Sequence, residues 1–378
     1  MHFRVKQQPS VLFAATLCAL ASSGSWAADT VCSTVAGGTV TAVTSGSYST
    51  PDTTIAVASN FYGPAKRLLQ DYTKSGAPGN GKVIGVCHNA TGHLMSEIMG
   101  LTSSLTVNGT TYSAHPSSSN EWLSSGISYK YGMLLAANEK APADLVYRDT
   151  NNSTNFTIGS KQKYANGVPA LLLNPNQTPT YDAYDLVVAD MDSEVEGYYY
   201  GDPLDGTGTV TLNYPSLMTP IAIGNPTPAP YGQAALDILA AMPVAINSTV
   251  NKGSNWSSSC GATGSGSDIG VCQYDNIDLT LQATQSSTSG IVAGFVSWAQ
   301  VLDLGGSPEY ITFPDYPVPQ WGILLETDAT DGTSNANETA ASSLWSFMNL
   351  GSPGTTNAYL GSGQSWNAWL AANGYGSI

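Results

Sequence analysis

The residues in this chain that could do chemistry are mostly uncharged donors. No G-x-S-x-G stretch occurs, so a serine nucleophile on a strand-to-helix elbow has no local support. Neither a G-x-x-x-x-G-K-[ST] loop nor a dinucleotide fingerprint is present. His88 and His93 are out of phase for one helical face. With His115, they read as polar surface residues rather than bases or ligands. The alternating Asp190, Asp192, Glu194 and Glu196 could hold calcium, but Val195 stands where an EF-type loop needs glycine. A solvated acidic edge accounts for the run. No residue is therefore assigned to catalysis or to a metal. What remains is a set of donors where helices begin: Ser59, Thr91-Gly92, and the stretch from Pro226 to Tyr231. A helix N-terminus offers free amides and partial positive charge, so it binds an anion without a basic side chain. From the pattern alone, simple N-capping is the favoured account of the same residues.

These donors need strands and helices to aim them. Thr53–Ala58 reads as a buried strand, followed by Phe61, Ala65, Leu68, Leu69 and Tyr72 at helical spacing. Val83–Val86 reads as a second strand, and Leu94, Ile98 and Leu101 mark a second helix. Strand, polar turn and helix, twice over, predict an α/β fold. Residues 28–52, rich in Thr, Ser and Gly, read as a loosely ordered extension. Residues 102–141 and 176–215 read as insertions. Further strands are predicted at Ala141–Tyr147, Val168–Leu173, Pro220–Gly224, Ile291–Val296 and Val318–Leu325. A helix is predicted from Tyr231 to Met242, and two more close the chain. The first of these starts near Asn335 with Glu338 in a capping-box position. The second carries Trp366, Trp369 and Leu370 and ends at Gly374.

Composition sets the outer bounds. The 378 residues are 42% hydrophobic and 10% charged, which excludes the disordered class and allows two domains. A net charge of −15 excludes a nucleic-acid footprint. No apolar run is long enough to span a bilayer. Residues 1–27 have the pattern of a secretory signal peptide: His2, Arg4 and Lys6, then an apolar stretch, then Ser25-Trp26-Ala27. Its removal takes Cys18 with it. It leaves Cys32, Cys87, Cys260 and Cys272, an even set that reads as disulfides in an exported chain. Cys260 and Cys272 bracket one Gly/Ser-rich loop and are paired, which leaves Cys32 for Cys87. A metal site is the weaker alternative, since no C-x-x-C or Cys/His spacing occurs.

In their order along the chain, these segments resemble the periplasmic molybdate-binding proteins of ABC transporters. The resemblance lies in Ile55–Tyr72, Asn89–Ile98, Ala141–Leu145, Pro228–Leu236, Tyr316–Pro319 and the two final helices ending at Asn373-Gly-Tyr375. It implies a type II periplasmic binding protein fold. That fold has two α/β lobes, each a mixed, mostly parallel sheet flanked by helices, with a ligand cleft between them. Lobe 1 would be residues 53–165 and 317–378, and lobe 2 residues 166–316. The implied ligand contacts are Ser59, Thr91, the amide of Ala229, the amide of Leu279 within Asp278-Leu279, and Ser297 in place of the family's tyrosine. The implied ligand is a tetrahedral oxyanion, molybdate or tungstate, with no cofactor. The implied partner is an ABC permease in the inner membrane, served by a monomeric protein in the periplasm or secreted. The Ser297 replacement and the Tyr198–Tyr200 run keep open a different anion or a small organic solute on the same scaffold. A secreted hydrolase is a third reading, and it lacks a nucleophile–base pair.

Overall fold

Every residue of the first predicted strand, Thr53–Ala58, is buried, because the strand runs through the middle of a sheet covered on both faces. The computed structural model describes residues 30–43, 50–113, 131–152, 157–176, 187–190, 209–212, 219–227, 229–242, 244–265, 268–326 and 334–378. The predicted signal peptide, the Tyr198–Tyr200 run, His115, and Asp192, Glu194 and Glu196 of the acidic run lie outside them, as do the side chains of Asn335 and Asp190.

The described strands are β1 (Val31–Ala36), β2 (Thr39–Ala42), β3 (Thr53–Ala58), β4 (Val83–Asn89), β5 (Leu105–Val107), β6 (Thr110–Tyr112), β7 (Tyr131–Ala136), β8 (Thr157–Gly167), β9 (Pro169–Leu173), β10 (Val187–Asp190), β11 (Thr209–Leu212), β12 (Ile221–Gly224), β13 (Ile246–Gly253), β14 (Ile269–Tyr274), β15 (Ala293–Ser297), β16 (Tyr310–Thr312), β17 (Val318–Leu325) and β18 (Tyr375–Gly376). The helices are α1 (Tyr62–Thr73), α2 (Thr91–Ile98), α3 (Lys140–Asn152), α4 (Pro230–Ala241), α5 (Ile277–Gln285), α6 (Trp298–Leu304), α7 (Ser334–Met348) and α8 (Trp366–Ala372).

Two sheets carry the architecture. An eight-stranded sheet has the order β18-β8-β17-β7-β3-β4-β1-β2, and a six-stranded sheet has the order β13-β14-β12-β15-β9-β16. In the first, β3 pairs parallel with β4 and β7, and its flanks are antiparallel. In the second, β12, β13, β14 and β15 are mutually parallel and β9 and β16 are antiparallel. The chain passes from the first sheet to the second at Val168, between β8 and β9. It returns between β16 and β17. Each sheet with its helices is one lobe, and this is the two-lobed α/β architecture implied by the resemblance.

Side-chain alternation builds the cores. On β3, Ile55 and Val57 face one side, with Phe61, Ala65, Leu68, Leu69 and Tyr72 of the first helical segment and Trp366, Trp369 and Leu370 of α8. Ala56 faces the other side, with Leu94 and Met95 of α2 and Leu145 of α3. Lobe 2 packs Ala235, Ile238 and Leu239 of α4 against Ile221, Ile223 and Phe295. No helix among the described residues is long and apolar enough to cross a membrane.

Three expectations are corrected. Ala141–Tyr147 is helix, not strand. Asn138 Oδ1 accepts from the Ala141 amide at 2.9 Å, Pro142 sits in the first turn, and Ala141, Asp144 and Leu145 form one buried face. Residues 102–141 are not simply an insertion, because β7 within them is a fully buried strand beside β3. The 28–52 extension is not loose where it is described. β1 pairs with β4 and buries Cys32, Ser33, Thr34 and Val35. Cys32 is bonded to Cys87 across that pair, and Cys260 and Cys272 are brought together in lobe 2.

Candidate functional site

Four helical segments, two from each lobe, begin at one cavity. Its wall is Ala58, Ser59 and Asn60; Ala90 and Thr91; Ala137; Ala229, Pro230 and Tyr231; and Asn276 and Ile277. All but Pro230 are buried. The cavity volume is ≈ 20 Å³, on a measure where one water needs roughly 10–15 Å³.

The starts of these segments are unusual in a consistent way. Three have alanine as N-cap: Ala58 before the 3₁₀ turn Ser59–Phe61, Ala90 before α2, and Ala229 before α4. None of the three makes a side-chain capping bond. Alanine is a poor cap, worth about 1 kcal/mol less than Ser, Thr, Asn or Asp. The first-turn amides of Ser59, Thr91 and Tyr231 are not used by the helices they open, and Pro230 has none to give. The fourth start, α5, is capped by Asn276, whose Oδ1 accepts from the Leu279 amide at 2.9 Å. Helix dipoles and amides thus face the cavity from several directions. No Lys or Arg is among its lining residues. The nearby Lys66 has its pKa lowered, chiefly by burial, with Asp303 opposing.

The implied contact residues divide. Ser59, Thr91 and Ala229 line the cavity. Thr91 Oγ1 accepts from the Ala137 amide at 3.1 Å, which leaves its own proton to donate. The Ala229 amide donates to the Asn225 carbonyl at 2.9 Å and is not open to a ligand. Leu279 and Ser297 are not among the lining residues. The Leu279 amide is spent on Asn276, and Ser297 caps α6 in a reciprocal capping box with Gln300. Sequence reasoning did not assign Asn60, Tyr231, Asn276 or Ile277 to the site. A usable signal was present: alanine at a helix start leaves the next amides unclaimed.

A buried polar network ties the cavity wall to the lobe junction. Asn60 Nδ2 donates to Gln320 Oε1 at 3.1 Å, to Tyr375 Oη at 3.0 Å and to Tyr231 Oη at 3.4 Å. Tyr164 donates to Gln320 Oε1 at 2.9 Å, and Tyr375 to the Asn60 carbonyl at 2.6 Å. Tyr231 belongs to lobe 2 and the rest to lobe 1. Burial pushes the phenols of Tyr164, Tyr231 and Tyr375 well above the ordinary tyrosine value, so the network is neutral. Tyr231 Oη lies against Gly167 at the crossover, where a Cβ would come within 2.0 Å of it. Arg67 of α1 and Asp303 of α6 form a second bond between the lobes.

At the edge of the cavity His88, far from being a surface residue, reaches across the lobes. Its Nδ1 is 2.9 Å from Asp278 Oδ2 and 3.5 Å from Ser59 Oγ. Ser, His and Asp together suggest a hydrolytic triad, but the geometry does not make one. A triad needs the serine and the carboxylate on different ring nitrogens, whereas here both face Nδ1. A nitrogen that donates to Asp278 has no lone pair with which to accept the Ser59 proton.

Fold and cavity define a two-lobed α/β protein with a small, uncharged, donor-rich site between its lobes. No protein-family model matches the chain, and no curated protein matches it. Solved structures similar to it include the Azotobacter vinelandii periplasmic molybdate-binding protein, at 18% identity and TM-score 0.44, covering 86% of this chain and 99% of that one. The substrate-binding domain of a putative molybdenum ABC transporter from Clostridium difficile is similar at 10% identity and TM-score 0.41, covering 86% and 98%. The sulfate-binding protein SubI of Mycobacterium tuberculosis is similar at 10% identity and TM-score 0.34, covering 85% of each chain.

Proposed function

We propose that the protein is an extracytoplasmic solute-binding protein that encloses a tetrahedral oxyanion between its lobes and delivers it to an ABC permease. Molybdate and tungstate are the leading ligands. The observation that carries this reading is the meeting of four helical N-termini, three of them capped by alanine, at one buried cavity without a basic lining residue. Burying a dianion with no donors costs many kcal/mol. Charge-assisted bonds from amides and hydroxyls, together with helix dipoles, offset that cost. The amides of Ser59, Thr91, Tyr231 and Ile277, the hydroxyls of Ser59 and Thr91, and the Asn276 side chain form the donor set, while the Asn60 side chain is committed to Gln320 and the tyrosines. Closure by a hinge at the two crossovers completes the site from both lobes.

A small organic anion is the alternative ligand class. The Nδ1-only arrangement of His88 weighs against a hydrolase. The test is isothermal titration of the protein with molybdate, tungstate, sulfate and phosphate, alongside lactate and benzoate. Saturable binding of one or more oxyanions supports the reading. Binding of only the organic anions overturns it.

A further inference from the structure

The pair formed by His88 and Asp278 is not explained by capping or by core packing. Asp278 is the second residue of α5, and its neighbour Ile277 lines the cavity. A carboxylate there favours the helix but competes with a bound anion for the same positive end. Both of its oxygens are covered. Gln300 Nε2 donates to Oδ1 at 2.6 Å, and His88 Nδ1 lies 2.9 Å from Oδ2. The Gln300 amide is fixed in turn, because its Oε1 accepts from the Ser297 amide and hydroxyl at 3.1 Å each. Gln300 and Ser297 belong to the same lobe as Asp278. His88 is the partner from the other lobe.

The imidazole is held for this task. It stacks on Tyr62 with centroids 3.8 Å apart and planes 19° apart, and the Tyr62 hydroxyl bonds Ser33 Oγ at 2.6 Å. The His88 side chain is 12% exposed, and that of Asp278 is 24% exposed. Closure therefore removes most of the water around this carboxylate and supplies a donor in its place.

We propose that His88 is a positioning residue for the anion site. When the lobes meet it covers the Asp278 carboxylate, and by committing its Nδ1 proton there it leaves the Ser59 hydroxyl to donate into the cavity. This inference rests on the oxyanion reading for its ligand and on the observed lobe contact for its geometry. The charge at Asp278 is the reason His88 is needed. Removing His88 alone exposes the anion to an uncompensated carboxylate, and removing that carboxylate's charge as well relieves the repulsion.

The experiment compares wild type, His88→Gln, His88→Ala, Asp278→Asn and the double variant His88→Ala/Asp278→Asn by titration with molybdate, tungstate and sulfate. His88→Ala is expected to bind about tenfold more weakly, since it leaves Asp278 Oδ2 without its partner while Gln300 holds only Oδ1. His88→Gln, whose carboxamide still donates to Asp278, stays within about threefold of wild type. The double variant recovers most of what His88→Ala loses, a rescue that a role in folding alone does not give. Wild-type affinity in His88→Ala, or a double variant no better than His88→Ala, overturns the proposal. Should His88→Ala fail to fold, His88→Leu, of similar bulk and with no donor for Asp278, takes its place with the same expectation. If wild type takes none of these anions, the functional reading fails, and the proposal is then judged by small-angle scattering of the ligand-free chains. Expansion of His88→Ala reversed in the double variant supports the contact, and identical radii of gyration in all three overturn it.

Discussion

Gly167→Ala is the sharpest probe of lobe closure. Gly167 ends β8 just before the chain leaves lobe 1, and its missing Cβ is the floor on which Tyr231 of lobe 2 rests. A methyl there would stand 2.0 Å from Tyr231 Oη, 2.8 Å from Tyr231 Cζ and 2.8 Å from Gln320 Nε2. Gln320 has little freedom to move, being fully buried and held by Asn60 and Tyr164. Tyr231 must withdraw, and its withdrawal carries the start of α4 away from the cavity. Overpacking of this kind costs about 1–3 kcal/mol. Because the closest opposing atom, Tyr231 Oη, comes from the other lobe, most of the cost falls on the closed state, and the affinity for molybdate or tungstate drops by about 5- to 150-fold. Titration calorimetry reads the loss, and small-angle scattering reads a ligand-saturated form more open than wild type. The melting temperature of the ligand-free variant stays within a few degrees of wild type. Unchanged affinity, or a loss of fold stability as large as the loss of affinity, would refute the reasoning.

Three other outcomes follow from particular contacts. Thr91→Ala removes the acceptor of the buried Ala137 amide, so it lowers stability by about 1–3 kcal/mol and weakens oxyanion binding, whereas Thr91→Ser keeps both; denaturant melts and titration check the pair. Cys32 and Cys87 close a loop of 55 residues, and replacing both with serine costs about 4 kcal/mol on the loop-entropy relation, read from urea unfolding. Burial pushes the Asp275 carboxyl above the ordinary aspartate value. The folded state therefore holds that proton more readily than the unfolded state, and the stability this gives is lost as pH rises through the raised value. Asp275→Asn is accordingly more stable than wild type at neutral pH, with the difference fading below the carboxylate range in thermal melts taken across pH.

The legible parts of the fold were those whose burial pattern is periodic and local. β3 and α1 could be read because Ile55 and Val57, then Ala65, Leu68 and Leu69, face one core. β7 escaped because its six buried residues sit inside a polar stretch, and only pairing with β3 and β17 makes it a strand. α3 was mistaken for a strand because Leu145 and Val146 follow Pro142. A proline in a first turn favours a helix there as readily as it breaks one later.

At the cavity, Ser59, Thr91 and Ala229 are neighbours because each follows a strand end or opens a helix. The Leu279 amide bonds Asn276 Oδ1 in this structure, which leaves the amides of Ile277 and Asp278 as the open ones at that helix start. Ser297 with Gln300 three residues on is a capping box visible in the sequence, and that bond accounts for its hydroxyl. The roles of Tyr231 and His88 depend on the other lobe, and no local pattern reports a contact made only when two lobes meet.

The central claim is that this cavity binds an oxyanion through uncharged donors. The most direct measurement is a thermal-shift titration of the protein with molybdate, tungstate, sulfate, thiosulfate and phosphate. At 100 times its dissociation constant, a true ligand adds about 2.7 kcal/mol to stability. The account predicts a saturable upward shift with at least molybdate or tungstate, reduced in Thr91→Ala and Gly167→Ala. No shift with any oxyanion up to millimolar concentration would contradict it.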